Sequence, residues 1–338
     1  MIVLAIESSC DESSCAVLRD TEVLAVKTET QSVHAQYGGV VPELAGRSHL
    51  DLLLPLTKAA LAAAGIRVDA VELFAATRGP GLVGSLLVGT NFCRGLALAT
   101  NRPFRGVHHV EAHLWSPEIE HGELPLPMLG LIASGGHTLL VDVRGPRQYQ
   151  LLGSTIDDAL GEAFDKVGKL GGLPFPAGAA LDTLAAAGDS RKFKFAVPLQ
   201  DDSYDFSFSG LKTAFLYAQR DLGHAPTEHD LRDLYAGFQA AAVQSVANKT
   251  RRALRDRRPR ALICAGGVAA NSLLRTLLAA AAAECSIPFY FPALRYCGDN
   301  AAMIGYLAGK LERAGLPDDS DVALPRWPLD AVNLPSFN

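Results

Sequence analysis

Two histidines spaced four residues apart give the clearest indication of chemistry in this chain of 338 residues. They are His109 and His113, in the segment HVEAH. Side chains at positions i and i+4 of a helix lie on the same face, where two imidazoles can bind one metal ion. Asp299, between a predicted strand and a predicted helix, is the best candidate for a third ligand. Two histidines and one carboxylate suit iron or zinc and leave coordination positions open for a substrate.

The position of Glu111 distinguishes this motif from that of a zinc protease. In the protease motif H-E-x-x-H, the glutamate follows the first histidine directly, about 100° round the helix, and reaches metal-bound water. Glu111 follows His109 by two residues, which places it about 200° round the helix. We therefore predict a metal site in which Glu111 is not a general base. Histidines that only pack or lie exposed are the alternative.

Glycine-rich turns between apolar strand-like runs indicate a second kind of site. The segment IASGGHT (132–138) separates two such runs, and a polar turn of similar design lies within residues 2–18. Consecutive glycines let backbone N–H groups approach an oxyanion closely. These turns predict phosphate binding, with plain hairpins as the alternative. A third turn, AGGVAAN, lets the backbone approach a base or ribose and ends at Asn271, which can hydrogen bond.

Composition predicts a two-domain cytoplasmic protein. The length and the 49% hydrophobic content are sufficient for two packed cores. The net charge of -5 excludes a basic surface spread over the whole molecule, so any nucleic-acid interface must be local. Six cysteines without a C-x-x-C pair, and no signal-peptide pattern, predict reduced thiols in the cytoplasm. The apolar run 52–64 contains Lys58 and is too short to span a bilayer, so no membrane association is expected.

Alternating strands and helices must position these motifs. The predicted strands are Ile2–Ile6, Cys15–Leu18, Val23–Lys27, Leu73–Thr77, Met128–Ala133, Leu139–Val143, Gln148–Leu152 and Ala261–Ala265. The predicted helices are Ser48–Ala64, Val83–Ala99, Asp157–Leu170, Ala177–Ala187 and His229–Arg258. In the second helix, Gly84, Ser85, Gly89 and Gly95 keep one side small, which suits close helix packing. Three strands followed by helices occur twice, which indicates an α/β duplication.

Nine segments of the chain also carry a resemblance to a known family. They are SSCDESSCAVL, YGGVVPELAGRSHL, GPGLVGSLLVG, VHHVEAHL, IASGGHT, GEAFDKVGK, DFSFSGLKTA, CAGGVAANSLLR and CGDNAAMIG. In order and content they resemble the bacterial tRNA N6-adenosine threonylcarbamoyltransferase family over roughly Met1–Ala308. The resemblance implies the α/β fold of actin and hexokinase, the duplicated ASKHA ATPase fold, with two lobes and a central cleft. The expected lobes are residues 1–115 with 300–338, and residues 116–299.

The resemblance implies a reaction and a cofactor. The reaction is transfer of a threonylcarbamoyl group from threonylcarbamoyl-adenylate to N6 of the adenosine just 3′ of the anticodon, with release of AMP. The tRNA substrates read codons that begin with A. His109, His113 and Asp299 are implied as ligands of one divalent metal, Fe²⁺ with Zn²⁺ as the alternative. Because the donor is already activated, the enzyme mainly binds and orients it, and Asp11 or Glu12 is the candidate base.

The resemblance also places the adenylate site. The implied residues are Ile132, Ala133, Ser134, Gly135, Gly136, Asp165, Gly178, Asp182 and Asn271. We expect Asn271→Ala to weaken nucleotide binding with little loss of stability. Three further functions stay open as alternatives: a sugar kinase or regulatory ATPase, which would give the histidine pair no role, a metalloprotease, which the position of Glu111 disfavours, and a noncatalytic scaffold. The family's shorter, noncatalytic paralogue should lack both histidines and Asp299, which this chain has.

Three partners follow from the resemblance: tRNA, a noncatalytic paralogue (TsaB-like) and a small ATPase (TsaE-like), in a homo- or hetero-oligomer. We predict that the helices at 48–64 and 83–99 bind the paralogue, with Gly89→Arg as the test. The only dense basic run is residues 249–260, in which Arg251 and Arg255 are predicted to contact tRNA.

Overall fold

Two five-stranded sheets organise the chain. The computed structural model describes residues 1–317 and 322–333, apart from the side chain of Ala35. The strands are β1 (Ile2–Glu7), β2 (Glu12–Arg19), β3 (Glu22–Thr30), β4 (Leu73–Gly79), β5 (Phe104–His108), β6 (Met128–Ala133), β7 (Thr138–Gly145), β8 (Gln148–Ser154), β9 (Ala261–Ala265) and β10 (Phe289–Tyr290). The helices are α1 (Pro42–Ala64), α2 (Val83–Thr100), α3 (His109–Trp115), α4 (Glu118–His121), α5 (Leu160–Leu170), α6 (Gly178–Ala186), α7 (Ser209–Arg220), α8 (Glu228–Arg257), α9 (Ser272–Glu284) and α10 (Ala301–Arg313).

The chain divides into two units. Unit 1 contains Met1–Glu123, Pro146–Gln148 and Pro292–Asn338, and unit 2 contains Leu124–Gly145 and Tyr149–Phe291. The boundaries of the predicted lobes lie after residue 115 and before residue 300 instead. Residues 318–321 and 334–338 of the first predicted lobe lie outside the described part of the chain. The segment 292–299 belongs to unit 1 because it leads directly into α10, whose first turn is capped by Asn300.

The sheet of unit 1 has helices on both faces. Its order is β3-β2-β1-β4-β5, with β1, β2 and β3 antiparallel and β1, β4 and β5 parallel. Successive side chains of a strand point to opposite faces. Leu4 and Ile6 therefore join the core under α1 and α2, which includes Leu53, while Ala5 faces Gly305 of α10. Burial on both faces explains why β1 is apolar throughout its first five residues.

The sheet of unit 2 repeats this arrangement. Its order is β10-β9-β6-β7-β8, in which β6 and β7 are antiparallel and β6, β9 and β10 are parallel. Strands β6, β9 and β10 thus correspond to β1, β4 and β5 of unit 1. The α/β duplication predicted from the sequence is confirmed.

Two predicted helices, α1 and α5, begin three or more residues from the expected position. Helix α1 begins at Pro42 rather than near Ser48, because proline fits the first turn, where its missing N–H is not needed. Helix α5 begins at Leu160 rather than Asp157. The carboxylate of Asp157 instead accepts hydrogen bonds from the backbone N–H groups of Phe208 (2.8 Å) and Ser209 (3.2 Å), where α7 begins.

The small side of α2 packs inside unit 1 at Gly89. A Cβ atom added to Gly89 would lie 2.0 Å from Ser8 Oγ, at the end of β1, whereas one added to Gly95 would have no neighbour within 4 Å. Ser8 Oγ donates a hydrogen bond of 3.0 Å to the carbonyl of Ser85 in the same helix. The choice of Gly89→Arg as a test of partner binding is therefore wrong, because the new side chain would disrupt this packing.

All six cysteines are free thiols, and Cys15, Cys93, Cys264 and Cys297 are buried, where a thiol packs as a small apolar group. Among residues 1–317 and 322–333, no helix combines the length and the hydropathy needed to cross a membrane.

Candidate metal centre and nucleotide-binding turn

Helix α3 holds the two histidines on one short, buried element. All seven of its residues are buried. His108 caps the helix, because its Nδ1 atom accepts a hydrogen bond of 3.2 Å from the backbone N–H of Glu111. The Nε2 atom of the same ring is then the donor to the carbonyl of Trp327, at 2.8 Å. The segment that contains Trp327 thus fixes the residue from which α3 begins.

Asp299 brings the two histidines to one point. Its Oδ1 atom lies 3.4 Å from Nε2 of His109 and 3.1 Å from Nε2 of His113. The ligand atoms of the three residues lie within 4.8 Å of one another. The sequence prediction that these residues form one cluster agrees with this geometry. An arrangement of two imidazole nitrogens and one carboxylate oxygen fits a divalent transition metal.

Glu7 supports His109 from behind. The Nδ1 atom of His109 lies 3.1 Å from Glu7 Oε2 and 3.3 Å from Ser9 Oγ. Glu7 also accepts a hydrogen bond from the hydroxyl of Thr77. A carboxylate that accepts the second N–H of a histidine fixes the ring and makes it a better metal ligand. The sequence analysis missed Glu7, although a lone carboxylate at the end of an apolar strand was the available signal.

The charges in this cluster favour a cation. Burial lowers the pKa of His109, but the carboxylates of Asp299 and Glu7 outweigh burial and raise that pKa well above its usual value. Burial raises the pKa of Asp299, but the positive charge of His109 lowers it well below its usual value. The two carboxylates therefore stabilise positive charge at this point, whether carried by a proton or by a metal ion.

The two histidines differ in their surroundings. Within residues 1–317 and 322–333, the buried Nδ1 atom of His113 has no hydrogen-bond partner. His113 is thus held by Asp299 on one side only, whereas His109 is held on both. A metal bound at Nε2 would leave the proton of a neutral His113 on Nδ1.

Glu111 makes a buried contact with the protein backbone. It is fully buried, and its Oε1 atom accepts a hydrogen bond of 3.3 Å from the backbone N–H of Arg147. This contact agrees with the expectation that Glu111 does not act as the general base of a protease.

The turn after β1 carries Asp11 and Glu12. Burial, followed by the charges of Asp299 and Asp11, raises the pKa of Glu12 to about 9. The charge of Asp299 therefore acts on this turn as well as on the two histidines. A raised pKa favours the protonated form of the Glu12 carboxyl group. Asp11 is the better candidate base of the two.

In unit 2, the predicted glycine turn joins β6 to β7. Ile132 and Ala133 end β6, and Ser134 begins the turn, with its Oγ atom accepting a hydrogen bond of 3.1 Å from the N–H of His137. Gly135 and Gly136 are exposed, and a Cβ atom added to either would have no neighbour within 4 Å.

Two other glycines hold the base of this turn. A Cβ atom added to Gly161 would lie 2.7 Å from the carbonyl oxygen of Ser134, and one added to Gly266 would lie 2.4 Å from that of Ala133. Gly266 also has a φ of 94°, which side chains rarely adopt. The turn is therefore tightly packed below and open above.

The remaining adenylate candidates connect α5, α6 and α9. Asp165 Oδ1 accepts a hydrogen bond of 2.7 Å from the N–H of Ala177, directly before Gly178 begins α6. Asp182 Oδ1 accepts a hydrogen bond of 3.1 Å from Asn271 Nδ2. These contacts join the starts of α6 and α9 to the same part of unit 2 as Gly161 and Gly266.

Asn271 has a structural role that the sequence did not indicate. Its Oδ1 atom accepts a hydrogen bond of 2.9 Å from the N–H of Leu274 and so caps α9, while its Nδ2 atom donates to Asp182 and Gln239. Loss of such a cap costs about 1 kcal/mol. The expectation that Asn271→Ala leaves stability nearly unchanged is therefore not supported by these contacts.

The basic run 249–260 is largely paired. Arg251 and Arg255 lie 3.0 and 3.5 Å from Glu284. Lys249 is buried and donates a hydrogen bond of 2.6 Å to Asp201. These pairs connect α8 to its neighbours, so the prediction that this run binds tRNA loses the support of an unpaired basic face.

We expect His113→Ala to lose bound metal, because one of three convergent ligand atoms disappears. The measurement is elemental analysis after reconstitution with Fe²⁺ or Zn²⁺. His121→Ala, which removes an exposed histidine of α4, is the control and should keep the metal. Glu7→Gln should keep the fold and weaken metal affinity by about 10- to 100-fold. Full occupancy in His113→Ala would show that the cluster is not the metal site.

Comparison with known proteins identifies the family. The family model for tRNA N6-adenosine threonylcarbamoyltransferase matches residues 22–306. The chain is 47% identical to a protein of that name from Paracoccus denitrificans, over 97% of this chain and 94% of the relative. It is 45% identical to one from Trichlorobacter lovleyi, over 98% of both chains.

Solved structures with little sequence identity share the fold. HypF from T. kodakarensis matches with a TM-score of 0.66 and 16% identity, over 96% of this chain and 49% of that one. Component A of the (R)-2-hydroxyglutaryl-CoA dehydratase of Acidaminococcus fermentans matches with a TM-score of 0.54 and 16% identity, over 92% and 97%. The actin-like and hexokinase-like α/β fold expected from the sequence is confirmed. Because the family model matches most of this chain, the chain belongs to the tRNA N6-adenosine threonylcarbamoyltransferase family.

Proposed function

We propose that this protein transfers the threonylcarbamoyl group of threonylcarbamoyl-adenylate to N6 of the adenosine just 3′ of the anticodon, in tRNAs that read codons beginning with A. The observation that carries the proposal is the cluster of His109, His113 and Asp299 in a chain that matches the family over nearly its whole length. In the reaction, N6 attacks the carbamoyl carbon, a C–N bond forms, and the C–O bond to the phosphate breaks. AMP leaves, and N6 loses a proton.

The glycine turn of unit 2 is suited to the adenylate. Backbone N–H groups of exposed consecutive glycines can surround a phosphate without interference from side chains. The rigid packing of Gly161 and Gly266 below the turn keeps these groups in place. Binding and orientation are the main requirements of this reaction, because the mixed anhydride is already reactive.

The histidine cluster of unit 1 is suited to one divalent ion, with Fe²⁺ as the proposed metal and Zn²⁺ as the alternative. His109, His113 and Asp299 would hold it, and Glu7 would orient His109. When bound, such an ion supplies a Lewis acid that polarises oxygen atoms of the donor. The three ligands leave positions open, as a catalytic site requires.

The turn that follows β1 is suited to handling the proton of N6. We assign Asp11 as the base that accepts it. Glu12, whose pKa is raised to about 9, is assigned to keep its own proton. This division of roles follows from the burial of Glu12 and from the negative charges of Asp299 and Asp11.

Mass spectrometry of tRNA nucleosides tests the proposed function. The protein, its partners, tRNA, threonine, bicarbonate and ATP should together produce threonylcarbamoyladenosine. Asp11→Asn should lower kcat by about 100-fold or more, as loss of a general base does. Glu12→Gln should retain most of kcat, because glutamine resembles a protonated glutamate. Equal losses in the two variants would contradict the assigned roles, and ATP turnover without modified tRNA would contradict the function.

We expect Gly136→Val to weaken AMP binding by about tenfold or more, since the loss of one hydrogen bond to a charged group costs about 1.5 kcal/mol or more. A Cβ atom added at Gly136 meets no protein atom within 4 Å, so we expect stability to stay within about 0.5 kcal/mol. Gly210→Val, at an exposed glycine of α7 that is also unobstructed, is the matched control. Calorimetric titration with AMP gives the answer, and unchanged affinity in Gly136→Val would remove the turn from the adenylate site.

We further propose that the noncatalytic paralogue binds at α1 and α2. These helices form a groove of about 450 Å³ that is lined by His49, Leu50, Leu53, Leu87, Val88, Asn91 and Phe92. Leu50 and Leu87 are 66% and 46% exposed, and clustered exposed leucines are typical of interaction surfaces. The small ATPase and tRNA are proposed as further partners from the family resemblance alone.

Leu87→Asp should abolish or strongly weaken binding of the paralogue, because a charge would be buried in an apolar groove. Leu216→Asp, at an exposed leucine of α7, is the control and should bind normally. Analytical ultracentrifugation of each variant with the paralogue measures the effect. Normal binding by a folded Leu87→Asp variant would place the interface elsewhere.

A further inference from the structure

A chain of buried hydrogen bonds runs through unit 1 to the turn that carries Asp11 and Glu12. Its four side chains are Ser13, Gln31, His34 and His49, and none is more than 5% exposed. Neither the metal cluster nor the proposed reaction uses them directly. Two histidines, a glutamine and a serine buried together are costly unless each of their polar atoms has a partner.

The backbone groups at the two ends of this chain of hydrogen bonds fix which atom donates and which accepts in each bond. At one end the backbone N–H of Val41, the residue before α1, donates to Nδ1 of His34 (3.3 Å). The Nε2 atom of His34 must then be the donor to Oε1 of Gln31 (2.9 Å). The amide nitrogen of Gln31 faces the carbonyl of Ala45 (3.3 Å), which can only accept, so the orientation of the amide group is also fixed.

The donors and acceptors in the second half of this chain of hydrogen bonds are assigned in the same way. The amide nitrogen of Gln31 lies 3.4 Å from Ser13 Oγ and 3.3 Å from Nδ1 of His49. His49 Nε2 lies 2.9 Å from the carbonyl of Cys10 and must donate to it. The amide nitrogen of Gln31 can only donate, so the Nδ1 atom of His49 that it faces is an acceptor, and the hydroxyl of Ser13 donates to the same atom at 2.7 Å. Both histidines are thus neutral, with the proton on Nε2.

This chain of hydrogen bonds ends on the backbone of the turn Cys10–Glu12. His49 holds the carbonyl of Cys10, and the backbone N–H of Gln31 holds the carbonyl of Asp11 at 3.0 Å. Two consecutive carbonyls are therefore fixed by one network. Burial lowers the pKa of His49, which agrees with its neutral state despite the charges of Glu7 and Asp11 nearby.

We propose that His49 is a positioning residue for the transfer reaction, because the Val41–His34–Gln31–Ser13–His49 chain fixes the backbone of the turn Cys10–Glu12. The inference rests on the proposed role of Asp11 and Glu12. It predicts that the critical element is the hydrogen bond from His49 to Cys10, rather than the bulk of the imidazole ring.

Two substitutions of His49 separate these possibilities. The amide of His49→Gln reaches the position of Nε2 and can still donate to the carbonyl of Cys10. The amide of His49→Asn reaches only the position of Nδ1, so it can accept from Ser13 but leaves Cys10 without its donor. A displacement of about 1 Å in a reacting group costs about 100-fold in rate. We therefore expect kcat to fall by about 10- to 100-fold in His49→Asn and to stay within about threefold in His49→Gln.

The measurements are kcat and the KM for the adenylate, at saturating paralogue because His49 also lines the α1–α2 groove. KM should stay within about twofold in both variants, since the adenylate is assigned to unit 2. Val17→Ala, in the same strand as Ser13 and in the apolar core, controls for loss of stability alone and should keep kcat. If His49→Asn does not fold, Ser13→Ala takes its place, with kcat expected to fall by about tenfold.

Equal kcat in His49→Asn and His49→Gln, or an equal loss in Val17→Ala, would overturn the inference. The proposed function has a separate test in Asp11→Asn. If Asp11→Asn lowers kcat and His49→Asn does not, only the positioning role is wrong. If Asp11→Asn leaves kcat unchanged, the role of the turn is wrong and the inference falls with it.

Discussion

One carboxylate oxygen, Oδ1 of Asp299, lies within 3.4 Å of the Nε2 atoms of both histidines of α3. Much of unit 1 is arranged to permit this. Buried ionisable groups are tolerated only when each is paired. His109 and His113 must therefore meet Asp299, and His109 must meet Glu7. The end of β1, helix α3 and the residues just before α10 therefore have to meet at one point. The close approach of α2 to the end of β1 at Gly89 belongs to the same requirement, because a larger side chain there would displace the strand that carries Glu7.

Sequence periodicity predicted those parts of the site that depend on local structure. The spacing of His109 and His113 required only a helix, and the apolar runs on either side of the glycine turn required only two paired strands. The role of Asp299 was inferred from its place before a helix. Glu7 and the cap formed by Asn271 were not predicted, because both depend on which distant backbone or side chain comes near, and one sequence carries no record of such pairings.

The glycines of unit 2 show two opposite uses of the same residue. Gly161 and Gly266 have no room for a side chain, since neighbouring carbonyls occupy that space. Gly135 and Gly136 have ample room, so their lack of a side chain is not required by packing. The space beside Gly135 and Gly136 is the space that the phosphate of the proposed adenylate would need. This comparison depends on coordinates, because the four residues are indistinguishable in the sequence.

The metal cluster joins segments that are far apart along the chain, and this affects how the protein matures. His113 and Asp299 are separated by 186 residues, and His108 and Trp327 by 219. Ribosomes add about 5 to 20 residues per second, so α3 leaves the ribosome roughly ten to forty seconds before Asp299. During this interval His109 and His113 lack the carboxylate of Asp299, and His108 lacks its anchor at Trp327. An ion held by all three residues would therefore be acquired only after Asp299 has been synthesised.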